Sequence, residues 1–568
     1  MSFTSETVVS EQLGALGLIA ATVQRIGLIE KIDSRIELNE TKGGIISHGR
    51  RVAAMILNGL GFMNSRLYMT PHFFEDKPVK ELLGADINSA HLNDDCLGRG
   101  LDAIAEYGVT KLYSEIAFEV SKEQNIIAKR MHLDTTSFVL YGRYENDAAD
   151  GPMPAHGYSK ANRPDLKQVM LSLTQGGAAN IPLWMEALDG NSSDKVNFQD
   201  TIRKIQAFNK KLSASSEAAC FVVDAAFYTP EKLAELEDVL WITRVPAQLK
   251  DARTILAKPN HELAWQIIDD NYRSVEICKK VHGISQRWLL VESKHAAKRE
   301  LKTFQRRLDK KAESLQKQLW HLGNQVFACE KDAKKAINPI LKSLKYHQVD
   351  CEVLPVKQYQ KKGRPKKGDE QIIVGYQIET SLSSKLQAIS HAKEKLGRFM
   401  LATNQLNEES LPSSEILTQY KEQSSVESGF KFMKDDAFEL DAFFLKTPKR
   451  IGALMMVMTL CLMVYNFAQY TMRKCIEDNN EVLPNQDGRP VKNPTFKWIA
   501  EMMNMIAVVT IQHEDNCHRV ITNVKKVHQR IIAYFGPQAL KIYGLPPDLK
   551  AINIEHSKFK NITHWYTE

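Results

Sequence analysis

Three carboxylates stand where the neighbouring residue types argue for chemistry. Asp134 lies inside "RMHLDTTSFVLYG", Arg130 to Gly142, a run that reads as a β-strand. Strand interiors are depleted in aspartate, and a lone buried carboxylate is costly unless a charge meets it. Solvent exposure or a local backbone hydrogen bond is the bland alternative for one such residue. Asp224, however, follows the apolar "CFVV" at the end of a second strand. Two carboxylates on adjacent strands repel unless a cation sits between them. The third is Glu427, in "SSEILTQYKEQSSVESGFKFMKDDAF". From Ser413 to Lys434 this reads as one serine-capped helix, and at about 100° per residue Tyr420, Gln423, Glu427 and Lys434 share an arc of roughly 60°. That face suits a phosphodiester, with the carboxylate for a metal and the tyrosine and lysine for phosphate oxygens. Val426 and Phe430 turn towards a core.

The elements that must position these groups follow from pattern changes along the chain. Residues 1–125 read as a helical domain, with Leu13, Leu16, Ile19, Val23 and Ile26 at helical spacing and Ser47 as a cap. The Arg50–Arg51 pair there is a candidate phosphate contact or a solvated helix start. Residues 126–248 give the order β-β-β-α-β-α-β, that of an RNase H-like mixed sheet. Residues 249–396 form an α/β insertion. Its long amphipathic helix carries Leu301, Leu308, Leu315 and Leu322 at intervals of seven, and packing against the insertion's own sheet is expected over a coiled coil. Residues 397–470 return to the core and carry Glu427, and residues 471–568 read as mainly helical. The fold class expected is therefore α/β, an RNase H-like sheet interrupted by a β-rich insertion between helical terminal regions.

Composition narrows the class. The 568 residues hold 75 Lys plus Arg against 68 Asp plus Glu, a net charge of +7. The charge is concentrated. Lys294 to Lys311 carries eight basic residues against Glu300 and Asp309, and "KQYQKKGRPKKG", Lys357 to Gly368, carries six and no acid. The Gly363-Arg364-Pro365 core of the latter, flanked by Lys362 and Lys366, is similar to an AT-hook, which lays arginine in a narrow minor groove. Eight scattered cysteines without a CxxC pair suit a reducing cytoplasm and not a disulfide framework. His513, Cys517 and His518 lack a partner group and read as incidental. No signal peptide is evident, and "IGALMMVMTLCLMVYNF", Ile451 to Phe467, is short for a membrane span and reads as a buried core helix.

The stretch around Glu427 resembles the Y-x2-R-x3-E-x6-K signature of bacterial insertion-sequence DDE transposases, whose RNase H-like domain carries a β-rich insertion. Tyr420, Glu427 and Lys434 match its spacing, and "HLDTTS" and "VVDAAFYT" look like the motifs around the family's first and second aspartates. Asp134 and Asp224 are 90 positions apart, and Glu427 follows Asp224 by 203, as an insertion between the last two implies. Gln423 stands where the signature has arginine, which removes a charge-assisted phosphate contact. The resemblance implies that Asp134, Asp224 and Glu427 are catalytic residues holding two Mg²⁺ ions, with Mn²⁺ as a substitute. It also implies that Tyr420, Gln423 and Lys434 position the DNA end, and that a homodimer acts on double-stranded DNA, both terminal inverted repeats and target. The N-terminal bundle is similar to a helical domain in one branch of the group. Two other readings remain at this stage: an RNase H-like nuclease without strand transfer, and an inactive transposase-derived DNA-binding protein. Trp241 and Trp265 are base-stacking candidates, with core packing favoured for both.

Overall fold

The computed structural model describes residues 7–38, 46–61, 69–84, 86–126, 130–142, 144, 151–159, 162–192, 194–212, 220–281, 283–360, 370–434, 447–513, 516–547 and 549. The chain divides into two compact units, Met1–Trp241 with Thr418–Glu568, and Ile242–Leu417.

The first unit contains β1 (Thr7–Gln12), β2 (Arg130–Leu140), β3 (Lys167–Gly176), β4 (Ile181–Leu188), β5 (Cys220–Val223) and the first residues of β6 (Leu240–Arg244). The sheet order is β4-β3-β2-β5-β6. β2 runs antiparallel to β3 and parallel to β5, and β3 is antiparallel to β4. A parallel neighbour needs a crossover connection, and helix Asp194–Leu212 lies between β4 and β5 in the chain. This is the RNase H-like mixed sheet expected from the sequence. Beyond Arg130, every residue of β2 is buried apart from Asp134, which is half-buried.

Side chains alternate along a strand, so His132, Asp134, Thr136 and Phe138 share one face of β2. Helix Ser424–Met433 packs on β2, β3 and helix Pro448–Asp478. Its Val426, Phe430 and Met433 join Phe138, Val169, Leu171 and Leu173 in one core. Pro448–Asp478 has 31 residues and is long and apolar enough to cross a membrane, but 83% of its most apolar stretch is buried inside the fold. It is the core helix expected at 451–467, extended at both ends.

In the second unit, β7 (Gln266–Ile267), β8 (Tyr272–Val281), β9 (Ile284–Ser293) and β12 (Arg398–Thr403) take the order β12-β9-β8-β7. β12 also pairs with Ile242–Arg244. β10 (His347–Tyr359) and β11 (Gln371–Ser384) form a separate hairpin. Helix Lys294–Gly323 buries Leu308, Leu315 and Leu319. Leu319 packs with Ala333, Ile337, Val349 and Ile378 against that hairpin, with Leu322 partly buried beside them, while Leu301 at the start of the heptad series is exposed. Arg287, almost fully buried, meets Glu276 through two hydrogen bonds of 2.9 and 2.8 Å. It also donates to the Leu411 carbonyl, and Ser413 Oγ donates to Glu276 Oε2 at 2.7 Å.

The terminal regions carry helices as expected, together with strands that the helical reading does not mark. In the first unit, β1 pairs with β15 (Ala507–His513), which pairs with β16 (Asn516–Thr522). A short pair, β13 (Leu483–Pro484) and β14 (Pro490–Val491), precedes them. Val8-Val9, Val508 to Ile511 and Val520 to Thr522 are β-branched runs whose strand preference outweighed the helical pattern around them. Nearby, the Tyr543 hydroxyl donates to the Gly14 carbonyl. Its ring occupies the space a side chain at Gly17 would need.

Candidate active site

Asp134 and Asp224 come together through register. In the parallel β2–β5 pair, Leu133 stands opposite Val223. Asp224 keeps an extended backbone (φ −69°, ψ 165°), so one further step sets it beside Asp134, at a strand spacing of about 4.8 Å. Each carboxylate accepts a hydrogen bond from the next residue's amide, Asp134 from Thr135 N–H at 2.7 Å and Asp224 from Ala225 N–H. Asp224 caps the turn that leaves β5, and it is exposed. Two acids at this spacing repel, and oxygen donors of this kind suit a hard divalent cation.

Glu427 lies in the first turn of helix Ser424–Met433, which covers the Asp134 face of the sheet. It is exposed and makes no hydrogen bond or ion pair with the described residues. Among the described residues, no three His, Cys, Asp or Glu side chains stand close enough to share one metal ion. The donor chemistry therefore fits a divalent cation at Asp134 and Asp224, with Glu427 on the same face but outside a closed three-ligand cluster.

The single helix expected from Ser413 to Lys434 is instead two, Ser413–Glu422 and Ser424–Met433, with Gln423 at the break. Gln423 N–H donates to the Tyr420 carbonyl and Val426 N–H to the Gln423 carbonyl, both three residues back. These tight turns wind the chain faster than an α-helix. Ser424 and Ser425 follow with weak helix preference, and Ser428 Oγ bonds the Ser424 carbonyl, a contact that bends helices. The uniform 100° step is therefore interrupted at Gln423. Val426 and Phe430 are buried as expected.

Lys434, just past the second helix, donates from Nζ to Thr136 Oγ1 at 2.6 Å and lies 5.3 Å from the centre of the Phe138 ring. Thr136 carries no motif of its own, although its spacing of two from Asp134 puts it on the same face. His132, also on that face, is almost fully buried, with Nε2 3.8 Å from Glu422 Oε2. Burial, with Arg130 nearby, pushes the His132 pKa down to about 4. The ring is therefore neutral at physiological pH, and its contact with Glu422 is not an ion pair. Trp241 is fully buried against Phe227 and Tyr228. In the second unit, Trp265 has Arg273 and Arg398 at 4.3 and 5.4 Å from its ring. Packing engages both indoles. Arg364, Lys362 and Lys366 lie outside the described residues. A cleft of about 870 Å³ is lined by Asp102, Lys111, Asp189 and Lys449, not by the three carboxylates.

Comparison with known proteins places the chain in a class. Residues 133–466, more than half of it, match the family described as Transposase DDE domain, and the chain belongs to that family. Residues 8–118 match a domain of unknown function, DUF4277. No curated protein sequence matches the chain. Among solved structures, it is similar to the piggyBac transposase synaptic complex with hairpin DNA, at 10% identity and TM-score 0.36 over 88% of this chain and 82% of that one. It is also similar to the Mos1 transposase paired-end complex with the left transposon end, at 13% identity and TM-score 0.15 over 34% and 57%. Similarity this low carries no residue assignments.

Proposed function

We propose that this chain is the DNA transposase of a bacterial insertion sequence, which cleaves at terminal inverted repeats and transfers the 3′ ends to target DNA. The observation that carries the reading is the side-by-side placement of Asp134 and Asp224, with an exposed Glu427 on the helix covering the same face. Asp134, Asp224 and Glu427 would hold Mg²⁺, with Mn²⁺ as a substitute. When bound, such ions activate the attacking oxygen and stabilise the leaving one in an in-line displacement. The protein's own work is then to bind and orient. Tyr420 and Gln423, at the helix break, and Lys434 would hold the end phosphate. Arg364, Lys362 and Lys366 would contact double-stranded DNA, and the N-terminal domain would bind the element's ends. Two ends must be coupled, so the acting species is a homodimer, working in the cytoplasm.

The test is an assay on labelled duplexes made from the DNA flanking the gene, with Mg²⁺ or Mn²⁺. Cleavage followed by joining of 3′ ends to target DNA supports transposition. Cutting without joining would reduce the protein to a nuclease. Binding without cutting, under every cation tried, would leave a DNA-binding derivative.

A further inference from the structure

Glu427 can approach the aspartate pair only if its helix sits at the right height on β2 and β3. Gly429, two residues further on, is buried against Gln175 of β3. A Cβ added at Gly429 would lie 2.7 Å from Gln175 Nε2 and 3.0 Å from Leu462 Cδ2. Gln175 and Leu462 are themselves buried, so a larger residue at 429 must displace the ends of these side chains or lift its own helix.

Gln175 is an odd choice for ordinary packing. Neither of its amide atoms has a hydrogen-bond partner among the described residues. A buried unsatisfied amide is costly, a cost that an apolar side chain of similar volume would avoid. The β3–β4 register also shifts between Thr174 and Gln175. Such bulges re-aim side chains and are common beside active sites. Across the β2–β3 ladder, Gln175 stands opposite His132, two residues before Asp134 on the same face.

We infer that Gln175 and Gly429 form a steric gauge that fixes the height of the Glu427 helix above Asp134, with Gln175 as a positioning residue. This rests on the reading of Glu427 as the third metal-binding carboxylate. The thin amide and the missing side chain let helix and strand approach closely. A misplacement of about 1 Å at such a site can cost about a hundredfold in rate.

The experiment uses the full-length protein, Mg²⁺ titrations and the labelled flanking duplex. Gly429→Ala should lower cleavage at least tenfold and raise the Mg²⁺ concentration needed for half the maximal rate, while duplex binding stays unchanged. Adding Gln175→Ser, which shortens the opposing side chain, should restore most of the loss. Gln175→Ser alone should shift the Mg²⁺ requirement at least threefold, which keeps the idea testable if Gly429→Ala does not fold. Wild-type rate and Mg²⁺ requirement in Gly429→Ala, no relief in the double variant, or an unshifted requirement in Gln175→Ser would each overturn the gauge. Glu427→Gln is run alongside. If it cleaves normally, the reading of Glu427 itself fails; if it is inactive while Gly429→Ala is normal, only the gauge fails.

Discussion

Lys434 Nζ and Thr136 Oγ1 are 2.6 Å apart, which ties the end of the Glu427 helix to the strand that carries Asp134. The bond joins segments on opposite sides of the insertion in sequence. It fixes one end of that helix two residues along β2 from the candidate metal ligand.

Thr136→Val keeps the shape and removes the acceptor. A hydrogen bond to a charged group contributes about 1.5–3 kcal/mol, but Lys434 is exposed and water replaces part of the loss. A destabilisation of about 1 kcal/mol is expected, with slower cleavage and unchanged DNA binding. Denaturant midpoints and single-turnover rates check this.

Asp134→Asn, Asp224→Asn and Glu427→Gln should each fold and bind DNA, since phosphate contacts come mainly from basic residues elsewhere. Each should abolish Mg²⁺-dependent cleavage nearly as fully as the triple variant, because ligands that act as a unit are not additive. Substantial cleavage by Asp134→Asn would falsify the three-carboxylate reading.

Lys298, Lys302, Arg306 and Lys310 are exposed on helix Lys294–Gly323. Spaced four residues apart, they follow one another at about 6 Å along its axis. None forms an ion pair with the described residues. Replacing all four with Gln should flatten the dependence of log affinity on log salt by up to about 0.9 per lost phosphate contact. Filter binding across a salt series measures it, and an unchanged slope would leave this face merely solvated. Arg364→Ala, at the Gly-Arg-Pro core, should weaken duplex binding by about 1–3 kcal/mol.

Glu276→Gln addresses the buried pair of the second unit. Hydrogen bonds from Arg287 hold the Glu276 carboxyl below its ordinary value of 4.5. A depressed folded-state pKa contributes stability above the unfolded value and loses it as pH falls through the folded one. Removing the carboxylate leaves Arg287 buried and unpaired, at a cost of about 3 kcal/mol at neutral pH. The gap from wild type should narrow as the pH falls below about 4.5, where Glu276 of the unfolded chain protonates, and should close as the pH falls through the lower folded-state value. Denaturation at neutral and acidic pH tests both halves.

The strands carrying Asp134 and Asp224 were legible because β-branched and apolar runs are local signals, and an aspartate inside one is conspicuous. Their adjacency followed from the strand order. The break at Gln423 was not legible, since the apolar period runs through it and the tight turn depends on which backbone bonds form. β1, β15 and β16 were missed because short β-branched runs sit inside otherwise helical patterns. The partnership of Gln175 and Gly429 has no sequence signature, because it exists only once helix and strand are stacked.

The first unit is assembled from two separate stretches of the chain, Met1–Trp241 and Thr418–Glu568, and the second is the single stretch between them in sequence. Its core draws on Leu13 and Leu173 as well as on Phe430, Leu462 and Tyr543. During translation, at roughly 5–20 residues per second, Asp134 and Asp224 leave the ribosome well before Glu427 and the core helix that follows it. A nascent chain thus carries two of the three acids before helix Ser424–Met433, which packs on β2 and β3, has been made. On the three-carboxylate reading proposed above, cleavage must therefore await the synthesis of Glu427.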